Sequence, residues 1–228
     1  MKIKTFTMLA MGIVAVSGMA PRANATVQVT LANGASSVTI IDGGVGDVCG
    51  GVGIFDDCVT FSGVLGNYRI NVSTGIAQNG TNPFLDLNSV NLTSVSNAGT
   101  LTVSTSANGF TAPAPQFHFE VGGTSSLGGS SSFAAYGGNS NGLMDLSHQI
   151  GNTLVFPTSP FSNVTNGSGA TVGTYSLSIV ATLVGVSAGT VSFDAALNAV
   201  PEPATMALLG VVLLFSGSAI RRKYRRTA

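Results

Sequence analysis

Two stretches in the second half of the chain alternate strictly between apolar residues and small polar ones. A period of two places all the apolar side chains on one face of a strand, whereas a helix would require a period of 3.6. Each strand must then bury its apolar face against another layer, so the alternation predicts packed antiparallel sheets. The alternating apolar residues are Tyr175, Leu177, Ile179, Ala181 and Leu183 in the first stretch, and Val191, Phe193, Ala195 and Leu197 in the second.

Shorter segments from residue 27 onward carry the same signal and are separated by turn-forming pairs such as Asn33-Gly34 and Asn108-Gly109. Residues 122–142 are rich in Gly and Ser and are predicted to form a long loop, in which 133–136 can pair at a sheet edge. We expect an all-β fold, a jelly-roll-like antiparallel β-sandwich of about eleven strands. The predicted strands are 27–31, 38–41, 58–62, 68–73, 85–95, 100–105, 116–121, 133–136, 153–156, 175–183 and 191–197.

The charged residues are few and unevenly placed. They make up 8% of the chain, against about 25% in typical soluble domains, and nearly all the basic ones lie at the two ends. Between Thr26 and Val200 stand eight acidic residues and one base, Arg69, which gives this segment a formal charge of −7. A surface of that sign repels phosphate backbones, so nucleic acid is excluded as a partner.

Residues 1–25 have the three parts of a secretory signal peptide. Lys2 and Lys4 form its positive start, residues 8–16 its apolar centre, and Ala23-Asn24-Ala25 its small-x-small cleavage site. After passage through the export translocon, the mature chain is expected to begin at Thr26. The alternative, an uncleaved anchor helix, fits less well because the apolar run is short.

The C-terminal segment predicts a transmembrane helix. An apolar run at 204–220, about 25 Å long as a helix, follows a linker at 198–203 and precedes a basic tail at 221–228. The positive tail predicts a cytoplasmic end, so the body at 26–197 is expected on the outer side of the membrane as an ectodomain. The basic residues that set this topology are Arg221, Arg222, Lys223, Arg225 and Arg226.

Pro-Glu-Pro, the apolar run and the arginine-rich end, in this order, resemble the PEP-CTERM sorting signal of Gram-negative bacteria. The resemblance implies that an exosortase recognises Pro201, Glu202 and Pro203 and removes the tail. It also implies a bacterium that makes exopolysaccharide, with the processed protein at the cell surface or in the biofilm matrix. Parts of the body, at 59–63, 70–75 and 85–90, are similar to uncharacterised ectodomains that carry this signal. The alternative is an ordinary membrane anchor with a chance Pro-Glu-Pro.

Cys49 and Cys58 are the two cysteines of the chain and lie in a glycine-rich segment. In an exported protein an isolated pair is most simply a disulfide. A metal site would need further ligands, and both histidines are far away in the sequence. Closing so short a loop contributes about 2–3 kcal/mol on the chain-entropy model.

Four aspartates, Asp42, Asp47, Asp56 and Asp57, fall within the same segment. Carboxylates at this density can bind Ca²⁺, although the spacing is not that of an EF-hand loop. The alternative is a set of solvated turn residues on a disulfide-tied hairpin. We therefore expect no cofactor, with calcium as the one candidate.

The remaining motifs argue against an enzyme. The glycine runs at 43–46 and 50–53 do not complete a nucleotide-binding loop, and no lysine follows them. His118 alternates with Phe117 and Phe119, which predicts an exposed strand histidine on the same face as Glu120. His148 follows Ser147 but lacks the Gly-x-Ser-x-Gly context of a hydrolase nucleophile.

These observations favour a non-enzymatic surface or matrix protein associated with exopolysaccharide. A Ser-, Thr- and Asn-rich β-surface can hydrogen-bond hydroxyl-rich polymers. A specific carbohydrate-binding or adhesive module, with calcium as its candidate cofactor, is the second hypothesis. An extracellular hydrolase is the third, and it predicts paired carboxylates in a cleft.

Overall fold

The computed structural model describes residues 25–53, 56–79, 82–95, 97–112, 114, 116–169 and 173–200. They form twelve strands, and these ranges contain no helix long and apolar enough to cross a membrane. The strands are β1 (Val27–Asn33), β2 (Ser36–Ile41), β3 (Cys58–Leu65), β4 (Tyr68–Gln78), β5 (Phe84–Ser94), β6 (Gly99–Phe110), β7 (Phe117–Ser125), β8 (Gly128–Gly138), β9 (His148–Phe156), β10 (Phe161–Gly167), β11 (Tyr175–Gly185) and β12 (Gly189–Ala199).

The strands pair into two six-stranded antiparallel sheets. Sheet A has the order β2-β1-β6-β11-β8-β9, and sheet B has the order β10-β7-β12-β5-β4-β3. The last eight strands alone pair as β6-β11-β8-β9 and β5-β12-β7-β10, which is the strand arrangement of a jelly roll. The first four strands extend that jelly roll. In sheet A, β1 and β2 are added beside β6; in sheet B, β4 and β3 are added beside β5. The predicted all-β, jelly-roll-like sandwich is confirmed.

The alternating residues supply the core between the sheets. Tyr175, Leu177, Ile179, Ala181 and Leu183 are all fully buried, as the period of two predicts. Phe133 lies at the centre of an aromatic cluster, with ring centroids 5.9 Å from Phe156, 5.8 Å from Phe161 and 5.0 Å from Phe193. The two sheets are therefore joined by aromatic packing at one side of the sandwich.

Two features differ from the expectation. The eleven predicted strands omit β10, whose sequence Phe-Ser-Asn-Val-Thr-Asn-Gly is polar because β10 is an edge strand with one buried side chain. The predicted strand at 133–136 is present, but it extends over Gly128–Gly138 and lies between β11 and β9, so the long loop predicted at 122–142 and the edge position of that strand were wrong. Small residues are required there because a Cβ on Gly129 would stand 2.3 Å from the carbonyl oxygen of Val184.

Both ends of the described chain emerge from the same end of the sandwich, which we call the terminal end. Residue Val27 begins β1 there, and the backbone N–H of Val200 donates to the carbonyl of Gln116 at 2.9 Å. The segment from Asp42 to Asp57 lies at this end too, because it joins the end of β2 to the start of β3. The opposite, distal end carries the β1–β2 hairpin and the β11–β12 connection.

The two outer faces differ in their accessibility. On sheet A, the segment that contains Met144 packs over the terminal half. The backbone N–H of Met144 donates to the Oγ of Ser106 at 2.9 Å. Ser106 and Ser178 are fully buried beneath it and hydrogen-bond to each other at 2.8 Å. The outer face of sheet B has exposed polar side chains along β7 and β12 instead. Sheet B therefore offers the more accessible face for a ligand.

Candidate functional site

The segment between β2 and β3 is organised by two buried aspartates. One carboxylate oxygen of Asp47 accepts the backbone N–H groups of Cys49 and Thr60, and the other accepts that of Gly43, all at 3.0 Å. The carboxylate of Asp42 accepts the N–H groups of Asp56 at 3.4 Å and Asp57 at 3.2 Å. Burial raises the pKa of Asp42, and these two hydrogen bonds oppose the shift.

The disulfide between Cys49 and Cys58 is present, with the two Cα atoms 5.9 Å apart. The carboxylate of Asp56 lies within 4.8 Å of both sulfur atoms. Because both sulfurs are engaged in the disulfide, neither provides a thiolate for a metal ion. This predicted pair is therefore structural.

Calcium binding by the four aspartates stays a prediction. The structure does bring Asp42, Asp47, Asp56 and Asp57 into one segment, but the oxygens of the two buried ones are directed at backbone N–H groups. Hydrogen bonds of this kind fix the loop without an ion. Of the four, Asp56 is the exposed one.

A pair of carboxyl groups lies on the outer face of sheet B. Asp86 on β5 and Asp194 on β12 hydrogen-bond to each other through their side chains. They are diagonal neighbours, because Asp86 is opposite Ala196 and Asp194 is opposite Asn88. Burial first, and then the neighbouring Asp194 carboxyl, raise the pKa of Asp86 to about 7. The Asp86 carboxyl is therefore largely protonated below neutral pH.

A groove of about 370 Å³ runs beside this pair across β10, β7 and β12. Gly122 and Ala196 are its small residues, and Glu120 and Asp194 provide its carboxylates. Ser162 and Val164 line it from β10. A Cβ on Gly122 would find no atom closer than the carbonyl oxygen of Phe161 at 4.0 Å, so the absence of that side chain leaves the groove open.

His118 stands on the same face, as the alternation predicted. Its Nε2 is 3.7 Å from Oε2 of Glu120, and its Nδ1 is 2.8 Å from Oδ1 of Asn166 on the neighbouring β10. The imidazole of His118 therefore lies between Asn166 on β10 and Glu120 at one end of the groove. The face as a whole presents acceptors and hydroxyl groups to solvent.

His148 does not form a catalytic triad with its neighbours. The Oγ of Ser147 is 3.0 Å from Nδ1 of His148, but Asp145 accepts the backbone N–H of Ser147 rather than a ring N–H. Side-chain hydrogen bonds from Ser140 and Ser147 lower the pKa of Asp145 to about 2. These bonds fix an exposed turn before β9.

Asp86, Glu120 and Asp194 are three of the eight acidic residues between Thr26 and Val200, and the sequence alone does not group them. The sequence does indicate which face such a residue occupies: Asp194 stands at a polar position of the alternating stretch of β12, which predicts the outer face of the strand. Grouping them requires the knowledge that β12 pairs with both β5 and β7. The carboxyl pair therefore depends on the sheet topology, which places β5 beside β12.

Several predicted site residues lie outside the described residues. They are Ala23 of the cleavage site, Pro201, Glu202 and Pro203 of the sorting motif, the helix at 204–220, and Arg221, Arg222, Lys223, Arg225 and Arg226. Ala25, the last residue of the predicted signal peptide, is buried at the start of the described chain. The signal peptide, the helix and the tail stay predictions.

Solved structures with related folds are distant. A carbohydrate-binding module structure from the β-sandwich superfamily shares 14% identity, with 75% of this chain and 72% of that chain covered, at a TM-score of 0.29. TmCBM61 in complex with β-1,4-galactotriose shares 8% identity, covering 57% of this chain and 86% of that chain at a TM-score of 0.29. The isomalto-dextranase of Arthrobacter globiformis T6, complexed with panose, shares 10% identity at a TM-score of 0.28, with 63% of this chain covered. This chain spans 23% of that enzyme, and at such TM-scores none of these similarities bears on function.

No curated protein matches the chain. Residues 199–223, however, match the model of the PEP-CTERM protein-sorting motif. The match begins within the linker at 198–203 and covers the apolar run and the first three basic residues of the tail. The chain thus carries a PEP-CTERM protein-sorting motif, the C-terminal signal of an exosortase-sorted exported protein that is anchored at the membrane until it is processed.

Proposed function

We propose that the sandwich is a non-enzymatic surface or matrix protein that associates with exopolysaccharide through the outer face of sheet B. The observation that carries the proposal is the open groove across β10, β7 and β12, with Gly122 at its floor. The groove is accessible, whereas the corresponding part of sheet A is covered by the segment around Met144. The sorting motif is that of an exported protein, and exopolysaccharide at the cell exterior is the ligand that we propose for it.

The chemistry of the groove suits a hydroxyl-rich chain. The carboxylates of Glu120 and Asp194 accept hydrogen bonds from sugar hydroxyls, and Ser162 can both donate and accept. No aromatic residue is among the described residues that line it, so sugar rings have no stacking platform there. Weak contacts of this type become effective when a long polymer engages many copies of the protein at once. This favours a matrix role over tight recognition of one short glycan.

A specific carbohydrate-binding module is the second candidate. The fixed geometry of the Asp86–Asp194 pair favours it, because two carboxyl groups held together recognise a defined arrangement of donors. The same pair supports a non-enzymatic role. Glycosidase carboxyl groups stand about 5 Å or more apart to leave room for the substrate, whereas Asp86 and Asp194 are in hydrogen-bond contact.

The test is the affinity electrophoresis of the full chain in detergent through gels that contain neutral or acidic bacterial polysaccharides. Gly122→Leu should fill the groove without a change in melting temperature and should abolish the retardation. Thr182→Leu, on the outer face of sheet A, is the matched control and should leave the retardation unchanged. The absence of retardation by every polysaccharide would contradict the proposal.

Two further measurements separate the alternatives. On a glycan array, weak binding that grows with polymer length supports the matrix role, and tight binding of one oligosaccharide supports the specific module. A reducing-sugar assay addresses catalysis. If polysaccharide is cleaved and Asp194→Asn stops the cleavage, the protein is a hydrolase and the proposal is wrong.

A further inference from the structure

Three exposed valines project from the disulfide-tied segment at the terminal end. Val45 is 91% exposed, Val48 64% and Val52 70%, within a segment, residues 42–57, that also contains six glycines. The segment is held in shape by the disulfide and by the carboxylate of Asp47, so the valines are presented by a fixed scaffold. Apolar residues displayed in this way on an exported protein indicate a contact surface.

The exposed apolar residues are concentrated at this end. Of the twelve large apolar residues that are exposed in the described part of the chain, seven belong to the terminal end. The other five lie on the distal half or along the outer strands. The seven are Ile41, Val45, Val48, Val52, Ile76, Leu146 and Val200.

The terminal end is also the end from which the membrane tail leaves. Val200 is fixed to the sandwich by its hydrogen bond to Gln116, and Ala199 by one to Pro83, both at 2.9 Å. The residues between Val200 and the first residue of the apolar run, Ala204, are Pro201, Glu202 and Pro203. Fully extended, this linker reaches about 13 Å. While the tail is in the membrane, the terminal end must therefore stay within that distance of the lipid surface.

The valine-bearing segment lies to one side of this tether. It leads into β3, which is three strands away from β12 in sheet B, or about 14 Å at the usual strand spacing. A second contact at that distance would fix the tilt of the sandwich on the bilayer. A tether alone leaves the tilt free.

The charge at this end defines the kind of surface that it can contact. Arg69, the sole base between Thr26 and Val200, lies near the distal end, where Tyr68 pairs with Ser94. Asp56 and Asp145 give the terminal end a negative sign. Attraction to anionic headgroups is therefore absent, and the contact must be apolar.

We propose that Val45, Val48 and Val52 insert into the outer leaflet while the tail is attached, and so orient the sandwich on the membrane. This inference rests on anchoring by the sorting tail and does not depend on polysaccharide binding. Removal of the tail ends the confinement to the surface, and three valines without electrostatic support then release the protein from the bilayer.

The chain contains no tryptophan, so one introduced tryptophan reports on a single position. The full chain carrying Val52→Trp is reconstituted into phosphatidylcholine vesicles with brominated acyl chains, which quench nearby indole fluorescence. We expect strong quenching and a blue-shifted emission. The matched control is Val64→Trp, at a residue that is 71% exposed on the distal part of β3, and it should be quenched several-fold less.

Tryptophan itself favours the membrane interface, so a second substitution is needed. Adding Val45→Asp to Val52→Trp should reduce the quenching, whereas adding Val95→Asp at the distal end should not. Equal quenching of Val52→Trp and Val64→Trp would overturn the proposal. A blue shift that grows with the protein-to-lipid ratio, without quenching by bromine, would overturn it in favour of contact between two copies of the protein.

Discussion

The side-chain carbonyl of Asn33 accepts the backbone N–H of Asn67 at 3.1 Å, which ties the β1–β2 hairpin of sheet A to the β3–β4 turn of sheet B. The amide nitrogen of the same side chain donates to the carbonyl oxygens of Ala98 and Thr100, both at 2.9 Å. A single side chain, 8% exposed, therefore joins three connections at the distal end.

Substitution Asn33→Ala should destabilise the protein by about 2–3 kcal/mol, because it removes the partner of the Asn67 N–H and of the carbonyls of Ala98 and Thr100, which are buried or partly buried. Chemical denaturation of the full chain in detergent, followed by circular dichroism, measures the loss. The matched control is Asn152→Ala, at an exposed position on β9, which should change stability by less than about 0.5 kcal/mol. Equal effects of the two substitutions would contradict the role of Asn33.

The Asp86–Asp194 pair predicts that the protein is more stable in mild acid than in mild base. The pKa of Asp86 is about 7 in the folded protein, above its usual value near 3.9 in an unfolded chain. A raised pKa contributes stability that is fully present below about pH 4 and is lost as the pH rises through about 7. Because Asp86 is partly exposed, we expect the free energy of unfolding to fall by about 1–2 kcal/mol between pH 5 and pH 8.

Asp86→Asn is the control for this pH dependence. The amide stays neutral at every pH and still reaches Asp194, so the variant should lose most of the decline between pH 5 and pH 8. It should also be more stable than the parent at pH 8. A decline that persists in full in Asp86→Asn would assign the pH dependence to other groups.

Gly167, at the end of β10, lies against the backbone of Gly151 on β9. A Cβ on Gly167 would stand 2.1 Å from the backbone nitrogen of Gly151, where no side chain can yield. Gly167→Ala should therefore cost about 2–4 kcal/mol, measured as a lowered melting temperature. Gly122→Ala on β7 has open space and should be neutral or slightly stabilising. Similar losses in both variants would show that strand propensity, rather than the close approach, limits these positions.

Asp47→Asn tests whether the segment between β2 and β3 depends on a charged acceptor. Asp47 accepts three backbone N–H groups through two oxygens, and an asparagine would turn an N–H toward one of the donors. We expect a loss of about 2–3 kcal/mol in the free energy of unfolding. Asp56→Asn, at an exposed position in the same segment, should have little effect. If Asp56→Asn were the more damaging, the loop would rely on Asp56 instead.

The period-two pattern was sufficient to predict the fold class and most of the core, because it depends only on which residues must be buried. It could not find β10, since an edge strand buries one face at most and Phe161 is its one buried side chain. It also recognised only residues 133–136 of the strand Gly128–Gly138 and assigned the rest of that strand to a loop. Glycine and serine are used there for close packing between β11 and β9, and composition alone does not distinguish such packing from flexibility.

The candidate site was less predictable than the fold. His118 and Glu120 are two residues apart on one strand, so the alternation alone placed them on the same face, and the 3.7 Å approach confirms it. Asp86 and Asp194 are brought together by the pairing of β5 with β12, which no local pattern encodes. The groove depends likewise on Gly122, a residue whose sequence context suggested a loop.

The position of the last two strands sets the order of events during export. β12 occupies the middle of sheet B, between β5 and β7, and β11 lies between β6 and β8 in sheet A. A chain that crosses the membrane with its N-terminus first delivers these strands last, immediately before the apolar run of the tail. Neither sheet can close until almost the entire body has emerged. The strand order thus couples completion of both sheets to delivery of the segment that directly precedes the sorting motif.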